Sequence, residues 1–185
     1  GSDNQESGSD NQGSGGDNQE SGGQTGSVGD YNLDFSSGSS YANGLNETMI
    51  EEVRAAVAKF IDNEYDPNAS DYDKVLLAHD YLMSITSYQG NPNANAAWTS
   101  WGALVYGEAT CWGYASAYKA LCDAMGIPCY FVKETGDDDA NTHTWNVVQV
   151  DGQWYIVDVC SDDKSSYSHY VYFLCSDEHF NKYES

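Results

Sequence analysis

Three features of the sequence predict an α+β fold: apolar residues at helical spacing in its first two thirds, strand-like runs gathered behind Pro128, and an Asp-Gly turn between two of those runs. Over residues 47–63, Ile50, Val53, Val57, Phe60 and Ile61 recur on one helical face, and Asn46 stands where an N-cap belongs. A second helix is predicted after Pro67. Ser70 would cap it, and it carries Val75, Leu76, Ala78, His79, Tyr81 and Leu82 before Gly90 and Pro92 punctuate the chain. The third helical pattern, 111–124, is rich in small residues (Gly113, Ala115, Ser116, Ala117), which suits close burial, and Gly126 ends it. Strands are predicted at 129–132, 145–148, 154–157 and 170–174. Asp151-Gly152 is a two-residue hairpin signal, so the second and third of these should be antiparallel neighbours.

The chain sets 29 acidic side chains against 7 basic ones, a net charge of −22, which excludes unassisted binding to nucleic acid or anionic lipid. Six acids (Asp3, Glu6, Asp10, Asp17, Glu20, Asp30) and no base fall in residues 1–30, leaving 23 acids against 7 bases beyond them. That opening stretch repeats SDNQESG, SDNQGSG and GDNQESG, and Val28 is its sole apolar residue. It is expected to be a disordered linker over 1–30, followed by one domain over 31–185 whose first residues, 31–45, are irregular. No run approaches the roughly 18 to 20 apolar residues that cross a bilayer.

Cys111 is placed at the start of the third helix, where the helix dipole favours a thiolate. His143 opens one strand and Asp158 closes the next strand of the same hairpin, so the fold should bring a thiol, an imidazole and a carboxylate together. Taken singly, each has a structural explanation: core packing for the Cys, a surface position for the other two. Their framing sequences carry more weight. These are Gly102-Ala-Leu-Val-Tyr-Gly107, Cys111-Trp-Gly-Tyr-Ala-Ser-Ala117, Leu121-Cys-Asp-Ala-Met-Gly-Ile-Pro128, His143-Thr-Trp-Asn146 and Asp151-Gly-Gln-Trp-Tyr-Ile-Val-Asp158.

In order and spacing these five motifs closely resemble the transglutaminase-like superfamily. The likeness extends upstream to Asp71-Tyr-Asp-Lys-Val and His79-Asp-Tyr-Leu82, as in bacterial members, and downstream to Tyr172-Phe-Leu and Ser176-Asp-Glu178. It implies a papain-like, transglutaminase-core fold, with N-terminal helices and a nucleophile helix packed on an antiparallel sheet. It also implies Cys111 as acylated nucleophile, His143 as general base and Asp158 as the residue orienting the imidazole. The superfamily includes protein cross-linkers, deamidases, peptidases and amidases, and also inactive members that serve as binding modules. Two classes therefore stay open: an enzyme forming a thioester with a Gln-bearing or other amide of a protein or peptide, resolved by water or an amine, and a peptide- or glycan-binding module. The chain departs from many bacterial relatives at Trp112, after the nucleophile, and at Val159-Cys160, after Asp158.

The first oxyanion donor is expected to be the Cys111 N–H, with Trp98, Trp101, Trp112 and Trp145 as candidates for a second donor or for substrate contact. This chemistry requires no cofactor. A monomer is expected, secreted or anchored at a bacterial cell surface through a segment preceding Gly1. A Cys160–Cys175 disulfide is expected if the strands they end adjoin in an oxidising compartment, while Cys122 and Cys129 read as free buried thiols. No metal is expected: Cys175 and His179, with Cys160 or His169, lack a compact zinc pattern. Asp137-Asp-Asp139 reads as a solvated turn rather than a calcium loop, and His79 as a core histidine.

Overall fold

Both predicted N-caps form. Asn46 Oδ1 accepts the Met49 N–H at 3.0 Å and starts α1 (Glu47–Glu64), and Ser70 Oγ accepts the Asp73 N–H at 3.1 Å and starts α2 (Asp71–Ile85). Each side-chain oxygen satisfies a first-turn donor that has no carbonyl inside its helix. In this computed structural model, residues 1, 31, 33–135, 142–166 and 168–183 are described. The expected 1–30 linker, from its second residue onward, and the Asp137 to Asp139 turn lie outside the described residues.

The helices pack their apolar stripes inward: α1 buries Val53, Val57 and Phe60, and α2 buries Val75, Ala78, His79 and Leu82. Between Ile85 and the third helix lie three short elements too brief to announce themselves: β1 (Ser87–Tyr88), a π-helix (Gly102–Tyr106) and β2 (Glu108–Ala109), with β1 and β2 parallel. They lead the chain into α3 (Cys111–Ala124), which is buried almost all round, from Gly113 to Tyr118 and again from Ala120 to Cys122. Small side chains let α3 lie close to its surroundings. A Cβ on Gly113 would collide with the Ala97 carbonyl and come within 2.9 Å of Ala109 Cβ. Gly113→Ala is therefore expected to cost about 2 to 3 kcal/mol, read as a lower midpoint in urea melts.

β3 (Cys129–Lys133), β4 (Thr144–Val150) and β5 (Gln153–Val157) form an antiparallel sheet in that order, with Asn146 paired to Phe131 on one side and Val157 on the other. Asp151 and Gly152 take φ of +50° and +80°, as a tight hairpin with the right twist requires. Along β4, Thr144, Asn146, Val148 and Val150 are buried, and Asn146 Nδ2 donates to the Ala115 carbonyl of α3 at 3.0 Å. The opposite face is covered in part by α5 (Asp177–Tyr183), whose Phe180 joins Ile156, Cys175 and Trp145 in a small second cluster. The result is α+β, with α3 packed on an antiparallel sheet.

The strand predicted at 170–174 is not formed. A single bridge, Ile156 to Cys175, joins the residue just after this stretch to the sheet, and Leu174 takes a φ of +50°. Its aromatic residues serve α2 instead: Tyr170 and Phe173 lie 5.4 and 4.9 Å from the His79 ring. The chain after Asp158 also folds into a short helix, α4 (Val159–Lys164). Ahead of α1, the irregular segment expected over 31–45 is built into the core. Leu33 and Tyr41 are buried, Ser100 Oγ donates to the Tyr41 carbonyl at 2.6 Å, Ser116 Oγ donates to that of Ser40 at 3.2 Å, and Trp98 lies edge-on against Gly44.

Candidate active site

Thr110 and Cys111 are held by what precedes them. The Thr110 N–H donates to the Ala97 carbonyl at 2.8 Å, and Gln89 N–H ties β1 to Ala109 at 2.8 Å, so α3 begins at Cys111 at a fixed place. As the first residue of α3, Cys111 has no intrahelical acceptor for its own N–H. Its side chain is half-buried. From the sheet, His143 sits just ahead of β4 and Asp158 just after β5, and the β4–β5 pairing brings them together: His143 Nε2 lies 2.6 Å from Asp158 Oδ2. That leaves Nδ1 as the ring nitrogen for the thiol. Asp158 is 1% exposed and also caps α4, its Oδ1 accepting the Ser161 N–H at 3.0 Å.

Burial alone would push the Cys111 thiol up. Hydrogen bonds from His143 and from the Thr144 hydroxyl and N–H, with the charge on His143, outweigh it and hold the thiol below its ordinary 9.0. Burial likewise pushes the His143 imidazolium down, yet hydrogen bonds to Asp158 and Cys111 and their charges raise it to about 10. Both shifts run in the direction that favours a thiolate–imidazolium pair. The Thr144 hydroxyl is buried without a hydrogen bond of full geometry, and its influence on the thiol is one of proximity.

The pair has a signature in stability. The His143 imidazolium contributes stability that is complete below 6.5 and lost as pH climbs through about 10. The Cys111 thiolate contributes stability that is complete above 9.0 and lost as pH falls through its lowered value. Where the windows overlap the slopes oppose, because the proton missing from sulfur is the one held on the ring. The pair's share of the unfolding free energy is read in urea melts as wild type minus the Cys111→Ala/His143→Ala double variant. It is expected to level off in the overlap and fall between 9.0 and about 10. A share that kept rising up to pH 9.0 would mean that the ring does not hold the proton.

The four tryptophans divide. Trp145 stacks on the His143 ring at 5.8 Å and is backed by Phe180 at 4.9 Å. Trp101 donates its indole N–H to Glu52 at 2.6 Å, so that donor is spent on α1. Trp98 packs against Gly44. Trp112 lies between Phe131, at 5.2 Å, and the Lys133 ammonium, at 5.5 Å, with a buried N–H that meets no acceptor. A cleft of about 650 Å³ opens beside His143 and Trp145, walled by Val132, Glu134, Ile156 and Phe180.

The expected Cys160–Cys175 bridge is not formed, and all five cysteines are free. Cys160 ends no strand: it lies in α4 within the main core, whereas Cys175 belongs to the small cluster beyond the sheet. Among the described residues no three His, Cys, Asp or Glu side chains group as a metal site, and His179 Nε2 faces the Val171 carbonyl at 2.8 Å. Sequence reasoning missed Thr144, whose place beside His143 on the inward face of β4 was readable. It also missed Lys164, which α4 brings over the Tyr88 ring at 4.8 Å. Nothing local marked Lys164, since α4 itself was unforeseen.

Residues 55–159, more than half of the chain, match the transglutaminase-like superfamily. No match is found among curated proteins. Solved structures similar to this chain include one named a "putative cysteine protease" from Cytophaga hutchinsonii, with 18% identity and a TM-score of 0.45 over 63% of this chain and 43% of that one. Another is named a TGase, with 16% identity and a TM-score of 0.49 over 75% of this chain and 39% of that one. The chain thus spans less than half the length of either. Its match over the segment that runs from α1 through the Cys111 helix to the Asp158 hairpin makes it a member of the transglutaminase-like superfamily.

Proposed function

We propose that the chain is a thiol acyl-transfer enzyme acting on an amide of a protein or peptide. The observation that carries this reading is the 2.6 Å His143–Asp158 hydrogen bond, with the imidazole's other nitrogen left to a thiol held below its ordinary range. The Cys111 thiolate attacks the amide carbonyl, forming a C–S bond, and the Cys111 N–H at the helix start faces the oxyanion. The His143 imidazolium then protonates the departing nitrogen as the C–N bond breaks, giving ammonia or an amine and a thioester. Neutral His143 takes a proton from water, the hydroxide adds to the thioester, and carboxylic acid leaves as the thiolate returns. Water is the favoured resolving nucleophile because it is always present, whereas transfer requires a site that admits an amine and excludes water.

The test uses a Gln-bearing protein with a labelled amine, scoring ammonia release and amine incorporation for wild type and Cys111→Ala. Cys111-dependent ammonia release without incorporation is expected. Incorporation that depends on Cys111 would replace hydrolysis by transfer, and an inert Cys111 would leave a binding module. That second reading draws on one feature, the exposed Tyr130–Trp154 pair on the outer sheet face, with ring centres 5.1 Å apart. An exported or surface-tethered location accompanies the enzyme reading, on the strength of the acidic, apolar-poor 1–30 repeat as a spacer. Fractionation of the source cells tests it, and a cytoplasmic pool alone would discard it.

A further inference from the structure

The orienting carboxylate, Asp158, stands at the head of a helix that cannot hold itself. α4 has six residues, Val159–Lys164, far below the roughly 12 to 15 at which isolated helices become even marginally stable. Its position is set by two of its own carboxylates, which the acyl-transfer chemistry does not use, bound to partners on other elements. Asp162, fully buried, sets Oδ2 3.1 Å from His79 Nε2 on α2 and accepts the Tyr172 N–H through Oδ1 at 2.9 Å. His79, also fully buried, faces Asp80 Oδ1 with its other nitrogen at 2.9 Å, and Tyr170 stacks on it and donates its hydroxyl to Asp80 Oδ2. Asp163 Oδ2 accepts the Tyr114 hydroxyl of α3 at 2.6 Å. The Asp158 N–H donates to the Tyr172 carbonyl at 3.1 Å, so one residue's peptide groups clip both Asp158 and Asp162.

Every group on α4 that borders the nucleophile depends on these anchors. Asp158 meets His143, and the charge of the Lys164 ammonium also reaches Cys111. From the other elements, the site is faced by His143 and Thr144 of the β4 side and by Tyr88 of β1 beneath Lys164. A 2.6 Å charge-assisted contact is sensitive to small displacements of its carboxylate.

We propose that the Asp162–His79 pair and the Asp163–Tyr114 hydrogen bond are positioning residues of the Cys111 site: they fix α4, and through it the Asp158 carboxylate that turns His143 toward the thiol. This rests on the acyl-transfer reading.

The experiment follows the rate of Cys111 alkylation by iodoacetamide from about pH 5 to about pH 9, by mass spectrometry of the intact chain, for wild type, Asp162→Asn, Tyr114→Phe and Asp163→Asn. Thermal melts run in parallel. Tyr114→Phe removes the hydrogen bond at the half-buried Asp163 carboxylate, Asp163→Asn keeps an acceptor there but takes away its charge, and both leave the buried Asp162–His79 pair in place, so they keep the fold. Val57→Ala in α1 lowers the melting temperature through a core cavity and serves as the stability control. In the α4 variants the alkylation midpoint is expected to move upward, each unit reading as about a tenfold lower rate on the acid side. The control keeps the wild-type midpoint. Variants that melt lower yet alkylate along the wild-type curve would overturn the inference alone, since the anchors would then serve folding only. A wild-type Cys111 that followed an ordinary thiol curve would overturn the acyl-transfer reading and the inference with it.

Discussion

Turnover by Cys111→Ala is expected to fall by about six orders of magnitude. The substitution removes the atom that forms the thioester, and neither His143 nor Asp158 offers a replacement nucleophile at that place. The fold should persist, because Cys111 is half-buried at the first turn of α3 and Ala is the best helix former. The ring of His143 also reports the change: with the sulfur's hydrogen bond and charge gone, its pKa should drop from about 10. Ammonia release under substrate saturation checks the first expectation, and the imidazole NMR titration the second. Residual turnover within about a hundredfold of wild type would mean that another residue carries the acyl group.

Asp158→Asn is expected to lower kcat/KM by about a thousandfold to ten-thousandfold, as the loss of an orienting carboxylate does in other triads. It removes the charge that raises the imidazolium and lets Nε2 meet an amide in place of a carboxylate, so the ring loses the tautomer that leaves Nδ1 for the thiol. Asn is as good an N-cap as Asp, so the Ser161 N–H keeps its acceptor and α4 its start. The variant therefore separates orientation from helix capping. Its melting temperature should fall by the share of the His143 ion pair alone, and Asp158→Ala, which also loses the cap, should be less stable by about a further 1 kcal/mol. Steady-state kinetics beside thermal melts read both effects. Activity within tenfold of wild type in Asp158→Asn would remove Asp158 from the mechanism.

The parts of the fold set by local signals were legible. Asn46 and Ser70 cap the helices they were expected to cap, and Asp151-Gly152 makes its hairpin, because a side-chain acceptor or a positive φ needs no distant partner. The Cys111, His143 and Asp158 positions followed from that hairpin, from the helix start and from their framing motifs. Elements whose existence depends on tertiary contacts were not legible. α4 and the β1–β2 pair are too short to carry a period, and the aromatic run at 170–174 imitates a strand while its rings pack on His79. His79 itself was placed correctly in the core, but its carboxylate partner Asp162 lies 83 positions away, and no spacing rule reaches that far. The tryptophans could not be told apart for a related reason: an indole's role is decided by what it meets in space, and Glu52 on α1 claims the N–H of Trp101 while Trp145 stacks on His143.

The segment that joins Leu33 and Tyr41 to the core also bears on how the protein can be cut and produced. The family match ends at residues 55 and 159, yet the apolar interior borrows from both sides of it: Leu33 and Tyr41 ahead, Cys175 and Phe180 behind. A fragment trimmed to residues 55–159 would bare the pocket that receives Tyr41, leave the carbonyl partners of Ser100 and Ser116 missing, and uncover the outer sheet face beneath α5. Such exposed apolar surface drives self-association, so the short fragment should express as aggregate where a fragment spanning residues 31–183 stays dispersed.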